Sequence, residues 1–123
     1  EENYMVADAN TRMVELRGRE MAQLKKYRIQ VEQEAEEYIA AQKKQLEEEY
    51  QLRMFNLRMQ LDSLKMRSKN REQLENEIED LRLERETKLA ILEERKQNYV
   101  NLKIKVYKRA MQERLDAEAA KLP

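Results

Sequence analysis

The sequence has no cysteine, histidine or tryptophan, and only one glycine, one proline and one phenylalanine in 123 residues. Without Cys and His there is no thiolate and no imidazole. That removes Ser-His and Cys-His nucleophile pairs and the common zinc ligand sets, so no catalytic residue, metal ligand or cofactor is expected. With no disulfides to read, the compartment stays open between cytoplasm and periplasm. Gly18 alone cannot build a glycine-rich phosphate loop. Turns need glycine, proline or clustered Asn, Asp and Ser, so few turns are expected. Six tyrosines and one phenylalanine allow only a thin core. Neither sign of charge dominates, with 25 basic and 25 acidic residues. No net field therefore favours nucleic acid or an anionic membrane. No run approaches the roughly 18 apolar residues of a transmembrane segment. The start lacks the charged and apolar regions of a signal peptide, yet a chain beginning at Glu1 also fits a mature form, so secretion stays open.

What remains is rich in Glu, Lys, Arg, Gln, Leu, Ala and Met, which lose little freedom in a helix and compete little with its backbone hydrogen bonds. The fold class is all-α. Residues 1–10 form a short lead-in, with Tyr4, Met5 and Val6 as a candidate extended segment and Asp8, Asn10 or Thr11 as a helix cap. A first long helix over 11–67, a turn at 68–70 and a second long helix over 71–121 complete the expected layout. Gly18 costs about 1 kcal/mol relative to Ala without breaking a packed helix, and Pro123 follows the last periodic residue.

Apolar spacing carries the architecture. Met13, Leu24, Ala35, Leu46 and Leu57 recur every 11 residues, with Ile39, Tyr50 and Leu61 as a second row; Ile78, Leu89, Val100, Met111 and Leu122 repeat it later. An 11-residue repeat corresponds to about 3.67 residues per turn, so the stripe follows a nearly natural helix. The rows fail in Lys65–Gln73, where Met66 is the sole apolar residue and Asn70 can cap a new helix.

Folding the chain near residue 69 pairs Leu64 with Leu74, Leu61 with Ile78, Leu57 with Leu81, Tyr50 with Leu89, Leu46 with Leu92 and Ile39 with Val100 or Tyr99. The predicted seam is Leu24, Ile39, Leu46, Tyr50, Leu57, Leu61, Leu64, Leu74, Ile78, Leu81, Leu89, Leu92, Val100 and Val106. Glu32, Glu34, Glu36 and Glu37 then lie near Lys103, Lys105 and Lys108. The alternative is one continuous helix in a parallel coiled coil, because a heptad row from Tyr50 to Val106 can be drawn through the turn, with Arg71 and Arg85 in core positions.

Carboxylate runs such as Glu47–Glu49 and Glu75–Asp80 read as solvated faces, since neighbouring helix positions diverge and no calcium loop is present. Tyr99–Arg109 is unusual. Leu102, Ile104 and Tyr107 with Lys103, Lys105 and Lys108 form a candidate partner surface, and the segment's β-branched residues also admit a strand. Seven methionines fill irregular seams or adapt to partners. Lys65, Arg67, Lys69 and Arg71 form a candidate basic patch at the hairpin tip.

A short segment at Tyr4-Met5-Val6-Ala7, the Asp8-Ala9-Asn10 step into a helix, a long helix to about Met66, a polar tip and a return helix resemble the Skp/OmpH-type periplasmic chaperones. The resemblance spans most of the chain without a specific motif. It implies trimers whose helical arms enclose unfolded outer-membrane proteins. This chain departs from that pattern in its neutral charge, its meagre opening segment and the lack of a strand after Leu122. From the residues themselves, the expected role is a coiled-coil oligomerisation or scaffolding module, with copies of itself or helical proteins as partners. A holdase chaperone and a rigid stalk in a larger assembly are the alternatives.

Overall fold

A computed structural model describes residues 2–63 and 68–122, with side chains described over 6–63 and 70–122. The chain is a helical hairpin of two long helices, α1 (Glu2–Ser63, 62 residues) and α2 (Ser68–Ala120, 53 residues). The continuous-helix alternative is thereby set aside. α1 ends at Ser63 and α2 begins at Ser68, so Ser68–Asn70, expected as the turn, belong to the start of α2.

α1 starts at Glu2, so Tyr4, Met5 and Val6 lie in helix rather than in an extended lead-in. A strand needs a neighbour to satisfy its backbone, and there is no strand among the described residues; a helix closes those bonds internally. Thr11 accordingly does not cap the helix. Its Oγ1 donates to the Ala7 carbonyl one turn back, at 3.0 Å. The segment Tyr99–Arg109 is likewise helical throughout. α2 closes with two tightened bonds, from Lys121 N–H to Glu118 and from Leu122 N–H to Ala119, both 3.2 Å.

The 11-residue rows point inward as their spacing requires. Leu24, Ala35, Ile39, Tyr50 and Val100 are buried, and Met13, Leu46, Leu57, Leu61, Ile78, Leu89 and Met111 are half-buried. Two further rows are disguised by polar residues. Leu74, Arg85, Lys96, Tyr107 and Glu118 also turn inward, as do Ala9, Glu20 and Val31. Long charged side chains lay their stems along the seam and keep their charged ends at its rim.

The chain divides into two compact units, residues 1–35 with 98–123 and residues 36–97. In the first, Leu24, Val31 and Ala35 of α1 pack with Val100 and Ile104 of α2, and Tyr27, Tyr107 and Met111 lie against them. The Tyr27 and Tyr107 rings stack, with centroids 4.4 Å apart. In the second, Ile39, Tyr50, Leu74, Leu81 and Leu92 are buried.

The register differs from the mirror about residue 69. Tyr27 faces Tyr107, where that mirror places Met111, a shift of one turn toward the break. Leu57 and Leu81 still line one groove, and Leu46 and Leu92 another.

Val106 is not a seam residue. It is 61% exposed, because the inward stripe passes through Ile104 and Tyr107. Leu64 lies outside the described residues. Replacing fully buried Ile39 (0% exposed) by Ala is expected to cost about 2–5 kcal/mol. Val106→Ala should stay within about 0.5 kcal/mol. Urea unfolding followed by circular dichroism measures both, and equal losses would contradict this seam.

Candidate interaction surfaces

The surfaces are set by what the seam leaves outside. In the first unit, Arg114 forks onto Glu20 with bonds of 2.8 and 3.0 Å, and its guanidinium lies 5.6 Å from the Tyr107 ring centre. In the second, Glu36, Lys43, Glu93 and Lys96 form a ring of alternating charge. Lys43 bonds Glu93 and Lys96 bonds Glu36, while Lys43–Glu36 (3.6 Å) and Lys96–Glu93 (3.9 Å) complete it. Arg85 forks onto Glu47 at 2.5 and 3.1 Å. Arg82 reaches both Glu79 and Glu86, at 2.6 Å each.

The expected pairing of acidic Glu32–Glu37 with Lys103, Lys105 and Lys108 does not form. Glu36 binds Lys43 and Lys96 instead, and Lys103 lies over the Tyr99 ring at 5.6 Å. Lys96, not the later lysines, reaches Glu36.

Tyr50 is the most constrained polar residue. Its side chain is 2% exposed, with Arg53 and Lys88 at 5.2 and 5.3 Å from the ring centre. Its hydroxyl is enclosed and closes no hydrogen bond of standard geometry, yet it helps stabilise the charges of Glu84 and Lys88 beside it.

These contacts shift titrations in a consistent sense. Arg114 holds the Glu20 carboxyl below the usual carboxylate range, and Lys96 does the same for Glu36. Arg82 lowers Glu79, while the Tyr50 hydroxyl and then Lys88 lower Glu84. Glu93 raises Lys43, and the Tyr50 hydroxyl and then Glu84 raise Lys88.

The structure splits the candidate partner surface. Ile104 is buried and Tyr107 half-buried, both in the core cluster, whereas Leu102 is exposed and Lys103, Lys105 and Lys108 face solvent. Lys105 and Lys108 instead join Arg28 and Asn101 around an open groove of about 310 Å³ floored by Ile104. Of the candidate tip patch, Lys65, Arg67 and the Lys69 side chain lie outside the described residues; Arg71 is exposed and bonds Glu75 at 3.0 Å.

Sequence reading missed two features. One is an acidic groove of about 380 Å³ lined by Arg53, Asn56, Leu57, Glu77, Asp80, Leu81 and Glu84. The other is an outward apolar row, Leu52, Phe55 and Met59, whose spacing of three and four residues was the available signal. Among the described residues, no group of His, Cys, Asp and Glu is placed to hold a metal ion, and no helix is long and apolar enough to cross a membrane. The grooves present charges and aliphatic side chains.

No family model, curated protein or solved structure matches this chain.

Two outcomes follow from these contacts. The lowered carboxyls contribute stability that is complete above the ordinary value of 4.5 and lost as pH falls through their depressed values. The raised lysines contribute below 10.5 and lose it as pH climbs past that value. Urea midpoints should therefore be flat between these limits and fall outside both, and a midpoint that rises on acidification below 4.5 would contradict the pairing. Tyr50→Phe should change stability by no more than about 1 kcal/mol, since it deletes a hydroxyl with no closed hydrogen bond.

Proposed function

We propose that the chain is a non-catalytic coiled-coil module that joins copies of itself into an oligomer or scaffold. The observation that carries this reading is the row Leu52, Phe55 and Met59, exposed by 63%, 59% and 53%. Leu52 is two residues beyond buried Tyr50, about 200° round the helix, so the row lies opposite the seam. Residues spaced by three and four form one face, and a helix apolar on two faces has two neighbours to satisfy. The hairpin supplies one of them. A second copy supplies the other, in the manner of coiled-coil knobs entering holes. The lack of His and Cys supports a role in binding rather than chemistry.

Sedimentation equilibrium tests this reading. The wild type should exceed its monomer mass of 15.0 kDa. A Leu52→Ser, Phe55→Ser, Met59→Ser variant should return to that mass while keeping its helical circular dichroism. A wild type that stays monomeric at high micromolar concentration overturns the proposal. If that monomer also suppresses aggregation of an unfolded test protein at near-stoichiometric ratio, the holdase role implied by the Skp/OmpH resemblance takes its place.

A further inference from the structure

The neutral total conceals a segregation of charge. Residues 17–28 and 103–114 carry ten basic and two acidic residues. The Glu20–Arg114 and Tyr27–Tyr107 contacts bring these two segments together across the seam of the first unit. Arg114 is the one basic residue of the ten that closes an ion pair among the described residues. Arg28, Lys105 and Lys108 rim the groove floored by Ile104, with no carboxylate in its lining. Like charges gathered this way repel, and the repulsion is relieved when an anionic surface arrives.

Such a surface exists on the chain itself. Residues 72–80 hold five carboxylates and no basic residue. Glu77, Asp80 and Glu84 line a groove of comparable size whose apolar contacts are Leu57 and Leu81. Glu84 is neutralised by Lys88 at 3.2 Å and Arg53 at 3.7 Å, but Glu77 and Asp80 close no ion pair among the described residues. The two surfaces also match in spacing. Lys105 and Lys108 are three residues apart on α2, as are Glu77 and Asp80, so both pairs project from one helical face by the same axial step.

We propose that the basic groove of one copy seats the acidic groove of a second copy, Lys105 opposite Asp80 and Lys108 opposite Glu77 in antiparallel alignment. The occupant is a second copy because one sequence carries both surfaces, opposite in charge and equal in spacing. The proposal rests on the oligomerisation reading above and names its charge recognition. Exposed pairs contribute little individually, so their effect lies in choosing the partner and the register.

Sedimentation of two full-length charge-reversed variants, Lys105→Glu with Lys108→Glu and Glu77→Lys with Asp80→Lys, tests it. The substituted side chains are all solvent-facing, and circular dichroism checks that each variant stays helical. Wild-type association should weaken as salt rises from about 50 to 500 mM, where screening shortens from beyond 10 Å to a few ångströms. Each variant alone should associate at least about tenfold more weakly than wild type, and an equimolar mixture of the two should recover wild-type association. Variants that associate as wild type does overturn this inference alone, provided the Leu52, Phe55 and Met59 variant is still monomeric. A wild type monomeric at low salt removes both readings. If Lys105→Glu with Lys108→Glu loses binding to phosphatidylserine vesicles or duplex DNA while self-association is unchanged, the basic groove takes phosphates and the second-copy assignment is wrong.

Discussion

Burial of one narrow apolar stripe on each helix is the constraint on which everything else depends. Neither helix has a second apolar layer beneath it, so each stripe leaves water only by meeting the other. The 11-residue interval keeps the stripe on one face of a helix wound at nearly its natural pitch. Residues at this seam reach full burial, with Val31 at 1%, Ile39 at 0% and Val100 at 2% exposure, in a chain where 41% of residues are charged. Ala35 is buried among the larger members of the cluster, at 1% exposure.

The seam also organises the charges. Arg85 and Lys96 occupy inward rows and reach out to Glu47 and Glu36 at the rim. Their stems cover apolar surface while their charges stay partly hydrated. Such pairs add little stability individually, because water and salt screen them. Their consequence is geometric: a fork such as Arg114 on Glu20 forms at one alignment of the helices and is lost at neighbouring ones. Electrostatics thus refines an alignment that apolar burial has already made favourable.

What the seam leaves over defines the outer surfaces. A helix with apolar residues on both faces keeps one of them in water when it packs in a hairpin, and Leu52, Phe55 and Met59 are part of that remainder. The unpaired charges are a remainder of the same kind. Basic side chains are concentrated over 17–28 and 103–114 and carboxylates over 72–80, so a chain neutral in sum is locally uneven in charge. Recognition between copies is the reading that uses both remainders.

Much of this was legible in the sequence, because helix-forming composition and an 11-residue interval are local properties that follow from backbone geometry. They led to two long helices, a break near Ser68 and inward positions at Leu24, Ile39, Tyr50, Leu81 and Val100. The rows carried by Arg85, Lys96 and Glu20 were hidden, because a charged residue reads as outward until a partner's position shows where its head can go. Val106 was misassigned for a related reason: a strict seven-residue row drifts off a stripe whose true interval is longer. The extended reading of Tyr4–Val6 failed because a strand depends on a neighbour that propensity does not supply. The sequence by itself therefore determined the helices, their apolar interval and the absence of imidazole and thiol chemistry, all of which act within a few turns of one chain segment. The tertiary structure decided the register, the pairing of Glu36 with Lys96 rather than with Lys103, Lys105 or Lys108, and the gathering of residues 17–28 with 103–114. Those depend on where the helices meet, and a change of register exchanges charged partners such as that of Glu36 while Leu57 and Leu81 still share a groove.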